Sequence, residues 1–464
     1  MKKLISMIAV CLILLTSFTL SCVNAADDFE IENGVLLSYN GSAADVSLPS
    51  SVTAVGASAF AGNNTIVSVT IPSSVDSIGE RAFYGCSSLK TVKGGSGVTE
   101  VGALAFNGTP YFSNSTDEFL MLGKTLLWYN GDLMYITLPS NCVSIAPYAF
   151  LRCATAKMIR SSSDIVSVGE GAFYECSQLT SVDLPDSVTY IGAYAFDGTP
   201  FISSMGDFPI IGDGILVRYM GTGTSVEIPD EVRRIASRAF RSSKLKSVVI
   251  PSSVFSIDSY AFADCAGLQS VGFSEGLVMI GDGAFRGCKS LKKLVTPGTL
   301  SYIGQYAFNV TALKNARILG SHLIISDNAF KNCYDMDFVL LSDGVGELRE
   351  NAFAGCSGLS GISISSDTAQ ISASAFSGCD NVTVTCAQGS SADKALSSHE
   401  KNHVLGDADC DGELNILDAT AIQCYTAELL KYNGAQAAAS DYDFNGVIDV
   451  MDAAEVQLSL AELK

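Results

Sequence analysis

The chain has 464 residues, 48% hydrophobic and 16% charged, with a formal net charge of −20. This composition is that of a folded protein with room for two to four domains, and it excludes a disordered chain. The sign of the charge excludes a nucleic-acid binder that works through phosphate contacts.

The N-terminus reads as an export signal spanning residues 1–25. Lys2 and Lys3 form its positive region, residues 4–20 are mostly apolar, and small residues at 23–25 allow cleavage after Ala25. Cys22 offers an alternative as a lipoprotein acceptor, although Thr19 stands where Leu is preferred. No later stretch carries about 20 consecutive apolar residues, so no membrane span is expected after processing. The mature protein is expected outside the cell.

From residue 27 to 386 one pattern repeats. The pair Ala-Phe occurs thirteen times, from Phe60 to Phe376, in steps of 22 or 23 residues with two steps of 44. A branched aliphatic stands five residues before each of these Phe, as in Ile78 and Ile280. Seven of the eleven prolines stand eleven residues before one of them, as in Pro72 and Pro185. A fixed period of this length predicts a solenoid, because a single coil is too small to bury its own apolar face. The alternating segments 67–71 and 180–184 predict one strand per coil, ended by Pro. The stretch around Ala-Phe is expected to form a short helical or irregular turn. Eight cysteines, 86, 153, 176, 265, 288, 333, 356 and 379, follow the repeat Phe by three residues. Disulfides or metal binding would be one use for them. Their spacing equals the structural period, which predicts instead an internal column of reduced thiols packed as small hydrophobes.

This motif resembles the BspA-like class of bacterial leucine-rich repeats. The resemblance implies a mainly β solenoid, a right-handed superhelix of about 13 coils, in an extracellular adhesion or interaction protein. Each 44-residue step opens with Gly-Thr-Pro-aromatic, at Gly108 and Gly198. Those steps, and the matching stretch 33–41, are expected to be β-hairpin variants of the coil. Residues 387–402 read as a C-terminal cap and short connector. A last strand at 382–386 leads into a small helix from Ala392 to Lys401 with Ser391 as N-cap.

Residues 403–464 differ in kind. They hold twelve Asp and Glu against two Lys, a balance of −10, and a compact acidic module implies a cation. Segments 407–418 and 441–452 align at an offset of 34 residues, and both match the D-x-D-x-[DN]-G calcium loop. Calcium needs six to eight oxygens. Asp407, Asp409 and Asp411 would supply them in one loop, Asp441, Asp443 and Asn445 in the other. Glu413 and Val447 would add backbone carbonyls, and Asn415 and Asp449 stand at position nine. Asp418 and Asp452 close the loops where the standard motif has Glu. A duplicated loop ending in Asp, each followed by one amphipathic helix, resembles a dockerin. The resemblance implies a small all-α module with two Ca2+ ions. It also implies docking to a cohesin on a scaffoldin, as in cellulosomes. Recognition would involve Ile416, Leu417, Gln423 and Cys424 in one copy and Val450, Met451, Gln457 and Leu458 in the other.

The middle of the chain shows no catalytic constellation. His322, His399 and His403 are the three histidines, and none stands in a nucleophile triad pattern. The presumed outward strand positions, such as Ser68, Thr70, Ser181 and Asp183, are mostly small or neutral and give no acidic pair for glycoside hydrolysis. Trp128 fits packing in a hairpin better than sugar stacking. The expectation is therefore a non-catalytic interaction protein with a protein or polysaccharide ligand, anchored to a cellulosome. The alternative is a cellulosomal component of polysaccharide degradation, binding glycans or cutting them at an unrecognised site.

Overall fold

The structure is a computed structural model. It describes residues 28–464 except 162–163, 343, 365–369, 387–389, 398–399, 403–407, 409–413, 415, 428, 433, 441, 443–447 and 463–464. The export signal therefore lies outside the described residues. The chain divides into two compact units, one of residues up to 97 with 104–115, the other of 98–103 with 116–464.

The first unit opens with the antiparallel hairpin Phe29–Glu32 and Val35–Tyr39. Its turn residues Asn33 and Gly34 both have positive φ, 49° and 82°, as the favoured Asn-Gly hairpin turn requires. Coils follow, each laid parallel on the last. Strands Asp45–Ser47, Ser68–Ile71 and Thr91–Gly94 pair in register. So do the shorter Ala54–Val55 and Ser77–Ile78. Each coil thus carries two strands, not the one expected from sequence. The second is two residues long in most coils, below what alternation can reveal, and ends at the aliphatic five residues before the repeat Phe. The segment around Ala-Phe is an irregular turn, as expected. The unit closes on a single helical turn, Pro110–Ser113, capped by the Thr109 hydroxyl, which accepts from Phe112 N.

The second unit repeats this plan twice. Hairpin Phe119–Leu122 and Thr125–Tyr129 starts one run of coils, which ends at the helical turn Pro200–Ser203. Hairpin Ile210–Ile211 and Ile215–Leu216 starts a second run, which forms a nine-stranded sheet. The hairpins expected at the long steps are present, with a helical turn at each Gly-Thr-Pro. The cap differs from its expectation. Its helix is one turn, Ser391–Ala395, with Ser390 as N-cap, and the chain then returns as strand Glu400–Asn402 beside Thr383–Thr385. The Ser390 hydroxyl accepts from Asp393 N at 3.1 Å, which fixes the helix start one residue earlier than predicted.

The core is a spine of stacked phenyl rings. Neighbouring Phe centroids from Phe240 to Phe376 lie 4.7–5.4 Å apart with planes within 11° of parallel. Such offset stacking adds about 0.5–1.5 kcal/mol per pair beyond burial. Each hairpin adds one tyrosine, Tyr39, Tyr129 or Tyr219, at the start of its own run's ring stack, each 21 residues before the next repeat Phe. Backbone bonds run alongside, with ten of the thirteen repeat Phe N–H groups donating to the Ala carbonyl of the next coil, as in Phe285 N to Ala307 O at 2.7 Å.

The cysteine column is present, with a role beyond apolar packing. Cys86, Cys176 and Cys265 each donate from Sγ to the Phe carbonyl of the preceding coil at 3.0 Å. Cys288, Cys333, Cys356 and Cys379 do the same at 3.2–3.3 Å. The thiol is therefore a second donor to a buried carbonyl that already accepts the backbone N–H three residues on, as Phe60 O does from Asn63 N at 3.0 Å. At the two coils that end in Gly-Thr-Pro the residue is Thr109 or Thr199, whose hydroxyl bonds the Phe carbonyl of its own coil, Phe106 O and Phe196 O, at 2.7 Å. Cys153 departs from the expectation: it is half-exposed and its sulfur lies 3.7 Å from the Thr155 hydroxyl. Burial pushes the Cys142 thiol up to about 11 and Cys176 up to about 12. In the native protein at pH 8, iodoacetamide should modify the half-exposed Cys153 and Cys424 first and leave the buried ladder untouched. After denaturation the ladder should titrate as free thiols. Native labelling of Cys176 or Cys288 at comparable rates would contradict this packing.

Two turn positions per coil are left-handed: the residue two before the repeat Phe and the residue two after it. Ser242 (φ 57°) and Gly85 (φ 69°) occupy the second of these. A Cβ on Gly85 would meet nothing within 4 Å, so glycine is there for its φ alone. Replacing Gly85 by Ala should cost about 1 kcal/mol and Ser242→Gly should recover about as much, read as opposite shifts of the thermal unfolding midpoint.

Candidate functional site

The C-terminal module is built on two long helices, Ile416–Thr426 and Val450–Glu462, packed against each other. Both begin at loop position ten, three residues earlier than predicted from sequence. Their core is small: Ala419, Ile422, Ala453 and Val456, with Leu414 and Ile448 packed on it from loop position eight. Tyr425 stacks on Tyr432 with ring centroids 4.4 Å apart, and burial pushes the Tyr432 hydroxyl up to about 12. A third helix, Gly434–Ser440, precedes the second loop, where the sequence required none.

The two loop-closing carboxylates occupy matching places. Asp418 and Asp452 are both fully buried. Asp418 Oδ1 accepts from Ala408 N at 2.8 Å, and Asp452 Oδ1 accepts from Tyr442 N at 2.8 Å, the same ten-residue reach in each copy. Asp452 Oδ2 also accepts from Asp449 N at 2.7 Å, and Asp449 Oδ1 from Met451 N at 2.7 Å. Each loop is thereby closed at position twelve on its own position two. Of the other expected ligands, Asp407, Asp409, Asp411, Glu413, Asn415, Asp441, Asp443, Asn445 and Val447 lie outside the described residues. By residue type alone, the carboxylates and amide oxygens of the two loop segments would suit a hard cation such as Ca2+. Ionised carboxylates are costly to bury unless donors or a cation offset them.

Next to each closing Asp the module turns apolar side chains outward. Ile416, Leu417, Val450 and Met451 are 55–63% exposed, and Leu458 is 63% exposed. Gln423 and Gln457 are exposed and Cys424 is half-buried. Such apolar residues at the start of both helices contribute little to the module's own core.

The short helix Gly434–Ser440 lies against the solenoid's strands Phe338–Leu341, Gly361–Ile364 and Thr383–Thr385. Their outward row shows its effect. Val295, on the same register row, is 51% exposed, whereas Leu340, Ser363 and Thr385 are 4%, 0% and 0% exposed. The outward sheet face expected to meet a ligand is thus covered by the chain itself over its last three coils. Of the outward positions named from sequence, Asp183 is exposed and Thr70 and Ser181 are half-buried, but Ser68 is buried. His322 is exposed in a left-handed turn, and Trp128 lies half-buried on its hairpin strand.

A family model described as a BspA type leucine-rich repeat region matches residues 32–117, 123–206, 218–337 and 323–401. Solved structures with similar coils include a leucine rich cell surface protein from Faecalibacterium prausnitzii, 24% identical, covering 77% of this chain and 90% of that one with a TM-score of 0.29. The pneumococcal vaccine antigen PcpA is 19% identical over 80% and 95% of the two chains, TM-score 0.35. A leucine-rich repeat protein from Eubacterium ventriosum is 20% identical over 74% and 88%, TM-score 0.37. No curated protein matches the chain. Among the described residues no helix is long and apolar enough to cross a membrane.

Introducing Arg at Ser363, beneath the short helix, should release that helix. Limited proteolysis should then nick the chain between 403 and 440 while the solenoid stays resistant. An unchanged digestion pattern would show that the contact does not hold the module.

Proposed function

Because the chain belongs to the BspA-type leucine-rich repeat family, we propose that it is a non-catalytic, secreted adhesion or interaction protein whose C-terminal module is a calcium-loaded dockerin. The module would plug the solenoid into a cohesin of a scaffoldin and so into a cellulosome at the cell surface. The observation that carries this reading is the pairing of two buried, loop-closing carboxylates, Asp418 and Asp452, with two exposed apolar pairs, Ile416-Leu417 and Val450-Met451. Two Ca2+ ions would be held by Asp407, Asp409, Asp411, Glu413, Asn415 and Asp418, and by Asp441, Asp443, Asn445, Val447, Asp449 and Asp452. The ion supplies positive charge that lets the carboxylates converge, and so couples metal binding to folding of the module.

The duplication has a consequence for recognition. Each copy offers an apolar pair at the start of its helix, so half a turn of the module would present nearly the same surface. Leu458 and Cys424 occupy equivalent places and make the two faces unequal. The rival reading, a component of polysaccharide degradation, requires sugar release from plant polysaccharide by the purified protein above a boiled control.

Calorimetry tests the dockerin reading. Calcium should titrate to two sites, and its removal by chelation should abolish cohesin binding. Changing Ile416 and Leu417 to Asp should weaken cohesin binding only a few-fold, because the second face remains, whereas changing Val450 and Met451 as well should abolish it. Loss of binding on the first pair alone would establish a single mode, and absence of calcium uptake would remove the dockerin reading altogether.

A further inference from the structure

The hairpin at the second long step stands beside a cleft of about 620 Å³ whose lining includes Tyr194, Arg218, Tyr219, Arg238, Arg241 and Lys244. Four cations around one cleft are a local inversion of sign in a chain of net charge −20. The repeat framework does not demand them. At the same register 90 residues earlier the chain carries Trp128, Tyr148, Leu151 and Ala154 in their place.

The guanidinium groups are held in position. Arg218 Nη1 lies 2.5 Å from Asp197 Oδ1. Arg238 lies over the Tyr194 ring at 4.6 Å and the Tyr260 ring at 5.5 Å, and hydrogen-bonds the Tyr194 hydroxyl. Arg241 donates to that same hydroxyl at 3.0 Å and reaches the Asp264 carboxylate at 3.5 Å. Lys244 is exposed and has no ion-pair partner among the described residues. Two carboxylates against four cations leave the cleft with net positive charge.

A strip of flat side chains leads away from the cleft on both sides. Tyr148, Tyr194, Arg238, Tyr260 and Tyr306 occupy the left-handed turn position two residues before the repeat Phe in their coils. The Tyr148 ring lies over Gly171 and the Tyr260 ring over Gly283, the same position one coil on. A Cβ on either glycine would come within 2.4 and 2.5 Å of a ring carbon. Those half-buried rings thus pack against the backbone of the next coil.

We propose that the cleft and its strip bind an acidic polysaccharide, a glycan carrying carboxylates on its sugar rings. Arginine forks match carboxylates in pairs of parallel hydrogen bonds. Tyrosine faces accept the apolar side of a pyranose, and the cleft volume is that of a ligand site. A row spread over successive coils suits a polymer. A nucleic acid would bring a far denser phosphate charge against an acidic protein, and an acidic peptide offers no flat rings for the tyrosines. The proposal rests on the reading of the solenoid as a ligand-binding surface and is independent of the C-terminal module.

The test is calorimetry of the full-length protein in calcium buffer with a short galacturonic acid oligomer, and with its methyl ester as the uncharged counterpart. The acid should bind and the ester should not, and added salt should weaken binding. The exposed pair Arg241→Gln and Lys244→Gln should lose roughly tenfold or more in affinity with an unchanged unfolding midpoint. Tyr260→Ala should weaken binding without changing its salt dependence. The proposal is overturned by no heat with the acid, by equal affinity for the ester, by undiminished affinity in the charge variant, or by tighter binding of short DNA. Cleavage of the bound oligomer, seen by mass spectrometry, would refute the non-catalytic reading while leaving the binding site standing.

Discussion

Within each run, one coil is held to the next by a backbone bond from the repeat Phe N–H to the following Ala carbonyl, beside a phenyl ring stacked on its neighbour. No coil contains enough apolar surface to fold alone, so the register of this contact decides everything else. It sets the 22–23-residue period, places the aliphatic five residues before Phe on the inner face, and forces a tight turn on either side of the ring. That turn needs left-handed residues, and most of the cysteines three residues after Phe add a thiol bond back to the Phe carbonyl of the preceding coil.

Much of this was legible because a repeat states its core thirteen times over. Features of one coil that were too short for periodicity escaped. The two-residue inner strands are an example, since nothing in Ser77–Ile78 alternates. The left-handed turns were hidden because residues as unlike as Tyr306 and Val310 occupy them. Tyr39, Tyr129 and Tyr219 were missed as members of the spine, although each keeps its distance to the next Phe. The cleft arginines left only a weak trace in sequence, basic residues at one turn position of an acidic chain. Their convergence on the Tyr194 hydroxyl depends on a hairpin that brings together residues 44 and 47 apart.

The C-terminal module was read from its duplicated loops, and the parts of it that are described behave as copies. Asp418 and Asp452 are buried alike and each holds the backbone N–H ten residues upstream. The helix Gly434–Ser440 could not be anticipated, because its stability comes from lying on the solenoid strands rather than from its own Ala-rich sequence. That contact covers part of the sheet face, so a solenoid ligand must be sought elsewhere. The candidate surfaces lie where the period breaks, at the hairpin cleft and beyond the last coil, as expected when function is carried by departures from a structural repeat.

The coil-to-coil bond is also the most directly measurable part of the account. Native-state hydrogen exchange read at single residues should find the amides of Phe262, Phe285, Phe308 and Phe330 among the slowest in the chain, opening only when the stack unfolds. If those amides exchange as fast as exposed turn amides such as that of Asn64, the Phe–Ala contact does not hold the solenoid together.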